Sequence, residues 1–410
     1  MEEEEDFLKV LRALRDAARS VEAGEDRGGP ALHALLALEA GADDLLSGDP
    51  SLSALRRHLH RLRALWCSLD LSRGVTGEEG GCALSFSSSL RARWKRWSDR
   101  RGIARAAGGI AAEIQAWIDR ELVARLVAAL LRRSDAYARF LLAELESRLL
   151  LSVGRRFDPR LQRALLQHGV FAAVESRLGE PGGVGDGCAA ATLALVRFNK
   201  DVFVGPVLMG RAVGALVASA SEPALRALDG LLAAIRSPLV DELHARGDLP
   251  RLVALLSTCA PDPPRVRVPA FDLALRVAYY GRKEVVDALL AEGIVKRLLS
   301  LQRSDLGGSL LDAPCCSPRH KPADGTTFLL ACLPAWWAED CGGAAALASE
   351  ERPFASAVAR FAVQVEIGEG LSPREKRETK LEILRRVKEA AVSPAEEATV
   401  LTEVLWGATL

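Results

Sequence analysis

Four times in the middle of this chain, a short apolar helical pattern runs into a glycine and is followed by a second apolar helical pattern. The segments are LQRALLQHGVFAAVESRL (161–178), VFVGPVLMGRAVGALVAS (202–219), LVDELHARGDLPRLVALL (239–256) and VVDALLAEGIVKRLLSLQ (285–302). Their glycines, Gly169, Gly210, Gly247 and Gly293, stand 41, 37 and 46 residues apart. A third helical pattern follows each pair, at 188–198, 224–236, 268–279 and 326–333. Apolar residues in these segments recur at steps of three and four, the period of a helix with one buried face. A unit this small cannot hide that face alone, so copies must stack on one another. The constraint is strong: an all-α chain built as an array of three-helix units.

The repeat also settles the meaning of an Arg-Gly-Asp tripeptide at 246–248. Gly247 falls where every unit has its glycine, at the sharp turn between first and second helices. Asp248 and Pro250 then start the next helix, in roles close to N-cap and first turn. The tripeptide is read as structural rather than as an adhesion ligand.

Helical spacing continues on both sides of the array. Phe7, Leu11, Leu14, Ala18 and Val21 form one stripe, and Leu52, Leu55, Leu59, Leu62 and Leu65 another. The expected organisation is an amino-terminal helical bundle over 1–133, repeats over 134–340 and a helical cap over 341–410. The repeat units lie near 158–198, 199–237, 238–280 and 281–340. In the last region Ser372-Pro-Arg-Glu375 and Ser393-Pro-Ala-Glu396 each read as a capping box with proline at the first helical position. Segments rich in Gly and Ser at 24–30, 74–81, 179–187 and 307–325 read as linkers. GEPGGVGDG (179–187) lacks the Lys-Ser/Thr of a phosphate-cradling loop, so it is assigned as an inter-helix linker.

The units resemble armadillo repeats, whose second helix is of the ALPALVQLL kind and whose third is of the AAWALSNLA kind. GDLPRLVALL (247–256) and AAATLALVRF (189–198) carry the likeness most clearly, and it extends over roughly residues 135–340. With the helical amino terminus, the chain is similar to plant armadillo-repeat proteins related to the arms of U-box ubiquitin ligases. It contains no U-box, so ligase activity is not implied. The resemblance implies a right-handed α-solenoid with a concave groove lined by third helices. In nuclear-import adaptors of that superfamily, Trp and Asn ladders in the groove grip basic peptides. The matching positions here are Leu193, Gly230 and Asp272 for Trp, and Arg197, Ala234 and Arg276 for Asn. The ladder is absent, and two arginines suit an acidic segment instead.

The expected function is therefore a non-enzymatic scaffold for protein partners, holding an extended acidic segment between Arg197 and Arg276, with Leu193, Ala234 and Asp272 in the groove wall. A competing reading makes both arginines ordinary surface groups or members of ion pairs inside the array, with Asp229 and Asp272 as the nearest candidates. A second functional reading rests on RARWKRWSDRRGIAR (91–105), seven basic residues with Trp94 and Trp97 one turn apart. Arg93, Arg96 and Arg100 with the two tryptophans could hold nucleic acid or an anionic membrane. The favoured reading makes the tryptophans core and the arginines a solvated face. Lys and Arg equal Asp and Glu at 54 each, so no overall field draws the chain to either ligand.

No catalytic set, metal site or cofactor is expected. Cys315 and Cys316 are adjacent, with His320 nearby, a spacing unsuited to two thiolates on one tetrahedral ion. His58 and His60 read as solvated, without an acidic partner at ligand spacing. The eight cysteines include no C-x-x-C pair and suit reduced thiols. MEEEEDFLKV lacks a secretory pattern, and the apolar run 328–338 is too short to span a bilayer. The expected location is intracellular, in cytoplasm or nucleus.

Overall fold

The protein is seen in a computed structural model that describes residues 2–25, 29–41, 53–74, 86–153, 157–257, 264–304 and 353–406. These form helices and their connections, with no strand among the described residues. The chain divides into two compact units, Met1–Arg125 with Asp158–His168, and Leu126–Phe157 with Gly169–Leu410.

The first unit contains α1 (Glu2–Ala23), α2 (Pro30–Gly41), α3 (Ser53–Gly74), most of the long α4 (Phe86–Leu131) and α6 (Pro159–Gln167). Its core joins the two expected stripes, Ala18 and Val21 of α1 and Leu55, Leu59 and Leu62 of α3, to a third not assigned from the sequence, Ile103, Ala107, Ile110 and Ile114 of α4. Glycines on α4 leave room for side chains of α3. A Cβ at Gly102 would meet Leu65 and one at Gly109 would meet His58. One expectation fails in this unit. His60 is not without an acidic partner, because its Nδ1 lies 2.9 Å from Oε1 of Glu39, which also pairs with Arg63. Glu39 comes from α2, outside the local spacing that the sequence allowed to be inspected. Asp158 caps α6, accepting the N–H groups of Arg160 and Leu161.

In the second unit α5 (Asp135–Val153) leads into the repeats. Each of the next three groups has a first or second short helix and a longer third one. The third helices are α8 (Gly183–Phe198), α11 (Glu222–Ile235) and α14 (Pro264–Tyr280). Between them stand α7 (Val170–Arg177), α9 (Lys200–Met209), α10 (Ala212–Ser219), α12 (Ser237–Ala245) and α13 (Leu249–Ala254). The third helices pack side by side, α8 between α5 and α11, and α11 between α8 and α14. This is the side-by-side stacking that the repeat pattern requires, with core residues such as Leu195, Leu228, Leu232, Leu273 and Leu275 fully buried. Arg177 ties the start of the array together. Buried on α7, it donates to the carbonyl of Leu130 at the end of α4, to Asp135 at the start of α5, and to Glu180.

The turn glycines behave alike in three units. Gly169, Gly247 and Gly293 have φ of 61°, 71° and 74°, the left-handed region open to glycine. Asp248, after Gly247, sits at the N-cap of α13 and is buried, although its side chain makes no cap hydrogen bond. Gly210 is different, with φ −91°. A Cβ there would come within 2.3 Å of Glu175 Oε1, which accepts the N–H groups of Arg211 and Ala212. Close approach, not backbone conformation, requires this glycine.

One assignment needs correction, and another falls outside the described residues. The segment 179–187 is not all linker, because α8 begins at Gly183. Its early glycines are packing positions: a Cβ on Gly185 would strike the carbonyl of Glu180, and one on Gly187 would touch Leu142 of α5. In the fourth unit, α15 (Lys283–Ala291) and α16 (Ile294–Gln302) are first and second helices, but the helix packed beside α14 is α17 (Ala357–Ile367). It occurs later than the third helix assigned at 326–333, which lies outside the described residues, as do Cys315, Cys316 and His320. The apolar run AVARFAVQVEI gives α17 a face for α14 and another for the helices that follow.

Those are α18 (Pro373–Ala390) and α19 (Pro394–Trp406), both packed on α17. Ser372 and Glu375 form the full reciprocal capping box. At Ser393 only half forms. Its hydroxyl accepts the Glu396 N–H, while the Glu396 carboxylate turns to the Val392 N–H and to Arg303.

Candidate functional site

Stacking buries most of each third helix but leaves one stripe accessible. On α8 it runs through Asp186, Ala190, Leu193 and Arg197, on α11 through Arg226, Asp229 and Ala233, and on α14 through Val268 and Asp272. Successive members stand three or four residues apart, so each stripe is one side of its helix. The three helices lie in one packed row, which places the stripes next to one another.

Leu193 anchors the contact between the first two. A Cβ on Gly230 would come within 2.6 Å of Leu193 Cδ2, so the leucine rests on bare backbone of the neighbouring helix. Gly230 is buried while Asp229 keeps 20% of its side chain accessible, and Ala233 is exposed while Ala234 is half-buried. The accessible stripe of α11 therefore runs one residue earlier than the sequence alignment placed it, and Ala234 is a flank of the site rather than its centre.

The two arginines have different environments. Arg197, in the last turn of α8, is exposed. Arg276 is not: its side chain is 4% exposed and it donates through Nε and Nη2 to both carboxylate oxygens of Asp229, the second contact at 2.8 Å. A guanidinium held in this bidentate geometry is committed to the array. Arg276 is thus a positioning residue for Asp229, in agreement with the ion-pair reading and not with its use as an exposed anchor.

A second pair continues the pattern one helix further on. Arg360 of α17 is buried, stacks 4.6 Å above the Phe271 ring, donates to the Pro353 carbonyl at 2.6 Å and brings Nη2 to 3.9 Å from Asp272 Oδ1. Asp272 keeps 27% of its side chain accessible. Its carboxyl is nevertheless pushed up to about 6, chiefly by burial of its inner side, with Asp229 adding to the rise and Arg360, Arg276 and Arg226 opposing it. In both pairs the guanidinium is inside and the carboxylate edge outside. Arg226 is a further exposed cation of the row, 71% accessible and 2.7 Å from Glu222.

Sequence reasoning did not single out Arg226 or Arg360 for this site. The signal for Arg360 was present, since an arginine alone among the apolar residues of AVARFAV must find a partner when buried. The other basic candidates belong to a different place, on α4 in the first unit. Arg93, Trp94, Trp97 and Arg100 are exposed there and Arg96 is half-buried. Trp94 is 70% and Trp97 55% exposed, which overturns their reading as core residues. The core side of α4 runs through Gly102, Ile103, Ala106 and Ile110, and at helical steps this side passes back through Asp99, missing both rings.

Among the described residues no group of three or more acidic, His or Cys side chains could hold a metal ion. Cys67 is an exposed free thiol and Cys188 a buried one, the latter pushed up to about 12 by burial. No single described helix is long and apolar enough to cross a membrane.

No protein-family model matches the chain, and no curated protein sequence matches it. Solved structures do. An engineered protein shares 15% identity over 70% of this chain and 96% of its own, with a TM-score of 0.42. A designed armadillo repeat protein in complex with the peptide (KR)4 shares 14% identity over 70% of this chain and 99% of its own, at 0.39. A further engineered protein covers 99% of both chains at 16% identity and a TM-score of 0.39.

Proposed function

We propose that the protein is a non-enzymatic interaction scaffold whose accessible third-helix row, on α8, α11 and α14, receives an extended segment of a partner protein. The observation that carries this reading is the row itself: three adjacent stripes in which apolar Leu193 and Ala233 alternate with charged Arg197, Arg226, Asp229 and Asp272. An extended segment can run across such a row, placing successive side chains on successive helices. The buried pairs Asp229–Arg276 and Asp272–Arg360 neutralise much of the surface charge in the middle of the row. The exposed guanidiniums of Arg197 and Arg226 are then the groups that select acidic residues in the partner.

A random-sequence peptide library panned on the full chain tests the proposal. Selected peptides should be rich in Asp and Glu. The double variant Arg197→Glu/Arg226→Glu should bind them at least ~2 kcal/mol more weakly with a nearly unchanged melting temperature. Peptides that bind this variant as well as the parent would remove the row from the account.

A further inference from the structure

The amino-terminal part of α4 carries a surface that the third-helix row does not explain. Its core side holds Gly102, Ile103 and Ala106, and Asp99 turns toward the hydroxyl of Ser68 at 3.3 Å. At 100° per residue the opposite side gathers Arg93, Trp94, Trp97, Arg100, Arg101 and Arg105 within less than half of the helix circumference. All six are exposed. Two indole rings thus stand in solvent inside a border of four guanidiniums, and this side of the helix between 93 and 105 has no carboxylate. Tryptophan is among the costliest side chains to leave in water, and each ring offers a large area for burial. The occupant must therefore accept apolar rings and supply negative charge at once.

We infer that this face is a peripheral docking surface for an anionic lipid bilayer. Indoles settle at the boundary of headgroups and acyl chains, their rings in the apolar side and their N–H groups among polar ones. Arginines around them meet lipid phosphates. The geometry favours lipid over nucleic acid for two reasons. All six side chains come from one side of a single helix, not from several elements that together could line a channel for a phosphate backbone. In addition, the guanidinium of Arg101 lies 5.2 Å from the Trp97 ring centroid, covering one of the two faces on which a base would stack. Arg101 placed this way shields the ring in water and stays close to the phosphate level when the ring edge enters the bilayer. A chain with no net charge overall would bind through this local patch alone, so the binding should be sensitive to salt and confined to anionic membranes.

The test is co-sedimentation of the full chain with vesicles of phosphatidylcholine alone and of phosphatidylcholine mixed with phosphatidylserine, beside retention on single-stranded and duplex oligonucleotides. The parent should bind the phosphatidylserine vesicles only, and less as salt rises. Arg93→Glu/Arg100→Glu should weaken this at least about 25-fold, each basic residue near an anionic surface contributing about fivefold. Trp94→Ser/Trp97→Ser, which keeps every charge, should weaken it at least about tenfold. Both pairs are exposed, and melting curves matching the parent would show that the helix is intact. Absence of phosphatidylserine-dependent binding overturns the inference. So does loss in the arginine variant with full binding in the tryptophan variant, or oligonucleotide retention through these residues without vesicle binding.

Discussion

Replacing Asp229 by Asn would leave Arg276 buried on α14 with its shape-matched partner in place but without the negative charge. Removing one member of a buried ion pair costs ~3–5 kcal/mol, because the remaining charge stays desolvated. Two features of this site reduce that figure. Asp229 is 20% exposed, so part of the pair is already in contact with water. Asp272 also acts on Arg276, and its carboxylate supplies some of the missing field. A loss of about 2–3 kcal/mol follows, equivalent to about 5–10 °C in melting temperature for a unit of this size. Thermal unfolding followed by far-ultraviolet circular dichroism reads it directly. Arg197→Glu, on the exposed stripe, should stay within about 0.5 kcal/mol of the parent. Asp229→Leu combined with Arg276→Met should recover most of the loss, since an apolar pair of similar volume removes the desolvation cost altogether. An Asp229→Asn protein as stable as the parent would refute the reasoning and return Arg276 to the list of groups available to a partner.

Asp272 should produce a pH signature. Its folded carboxyl titrates at about 6, above the ordinary 3.8, so the folded protein holds this proton more tightly than the unfolded chain. The resulting stability is fully present below about 4 and is lost as pH rises through about 6. Asp272→Asn should remove the dependence, so that its stability relative to the parent moves in the variant's favour by on the order of 2 kcal/mol between about pH 4 and pH above 6, on top of a pH-independent cost for the lost Arg360 contact. Parallel melts of both proteins across this range give the difference, and a gap that does not vary with pH would refute the assignment. The cysteines make a separate prediction. Iodoacetamide should modify exposed Cys67 readily and leave buried Cys188 unmodified until the protein unfolds, with peptide mass spectrometry reporting each site. Fast native-state labelling of Cys188 would mean that α8 opens locally.

The repeat was legible because it rests on local chemistry. Gly169, Gly247 and Gly293 need a backbone conformation that other residues resist, and the apolar stripes beside them have the helical period. Gly210 matched the same pattern for another reason, close approach to Glu175, which sequence spacing does not distinguish. Glycines also concealed the start of α8: Gly183, Gly185 and Gly187 read as a loop but are helical positions pressed against neighbours. What escaped the sequence lies between elements. Arg360 reaches Asp272 from α17, and His60 meets Glu39 across the first unit, contacts that depend on how helices pack, whereas Asp229 was already among the partners the sequence offered for Arg276. The tryptophans illustrate the same gap. On α4 both sides of the helix contain large apolar residues, and only the packing against α3 determines that Ile103, not Trp97, faces the core.

The central claim is that the third helices act together as one receiving face. A peptide selected on the full chain, carrying a photoreactive group at each position in turn, tests this most directly when its crosslinks are mapped by mass spectrometry. Successive peptide positions should label successive helices, near Leu193 and Arg197 on α8, near Arg226 and Ala233 on α11, and near Asp272 on α14. Crosslinks confined to one helix, or falling outside this row, would contradict the account.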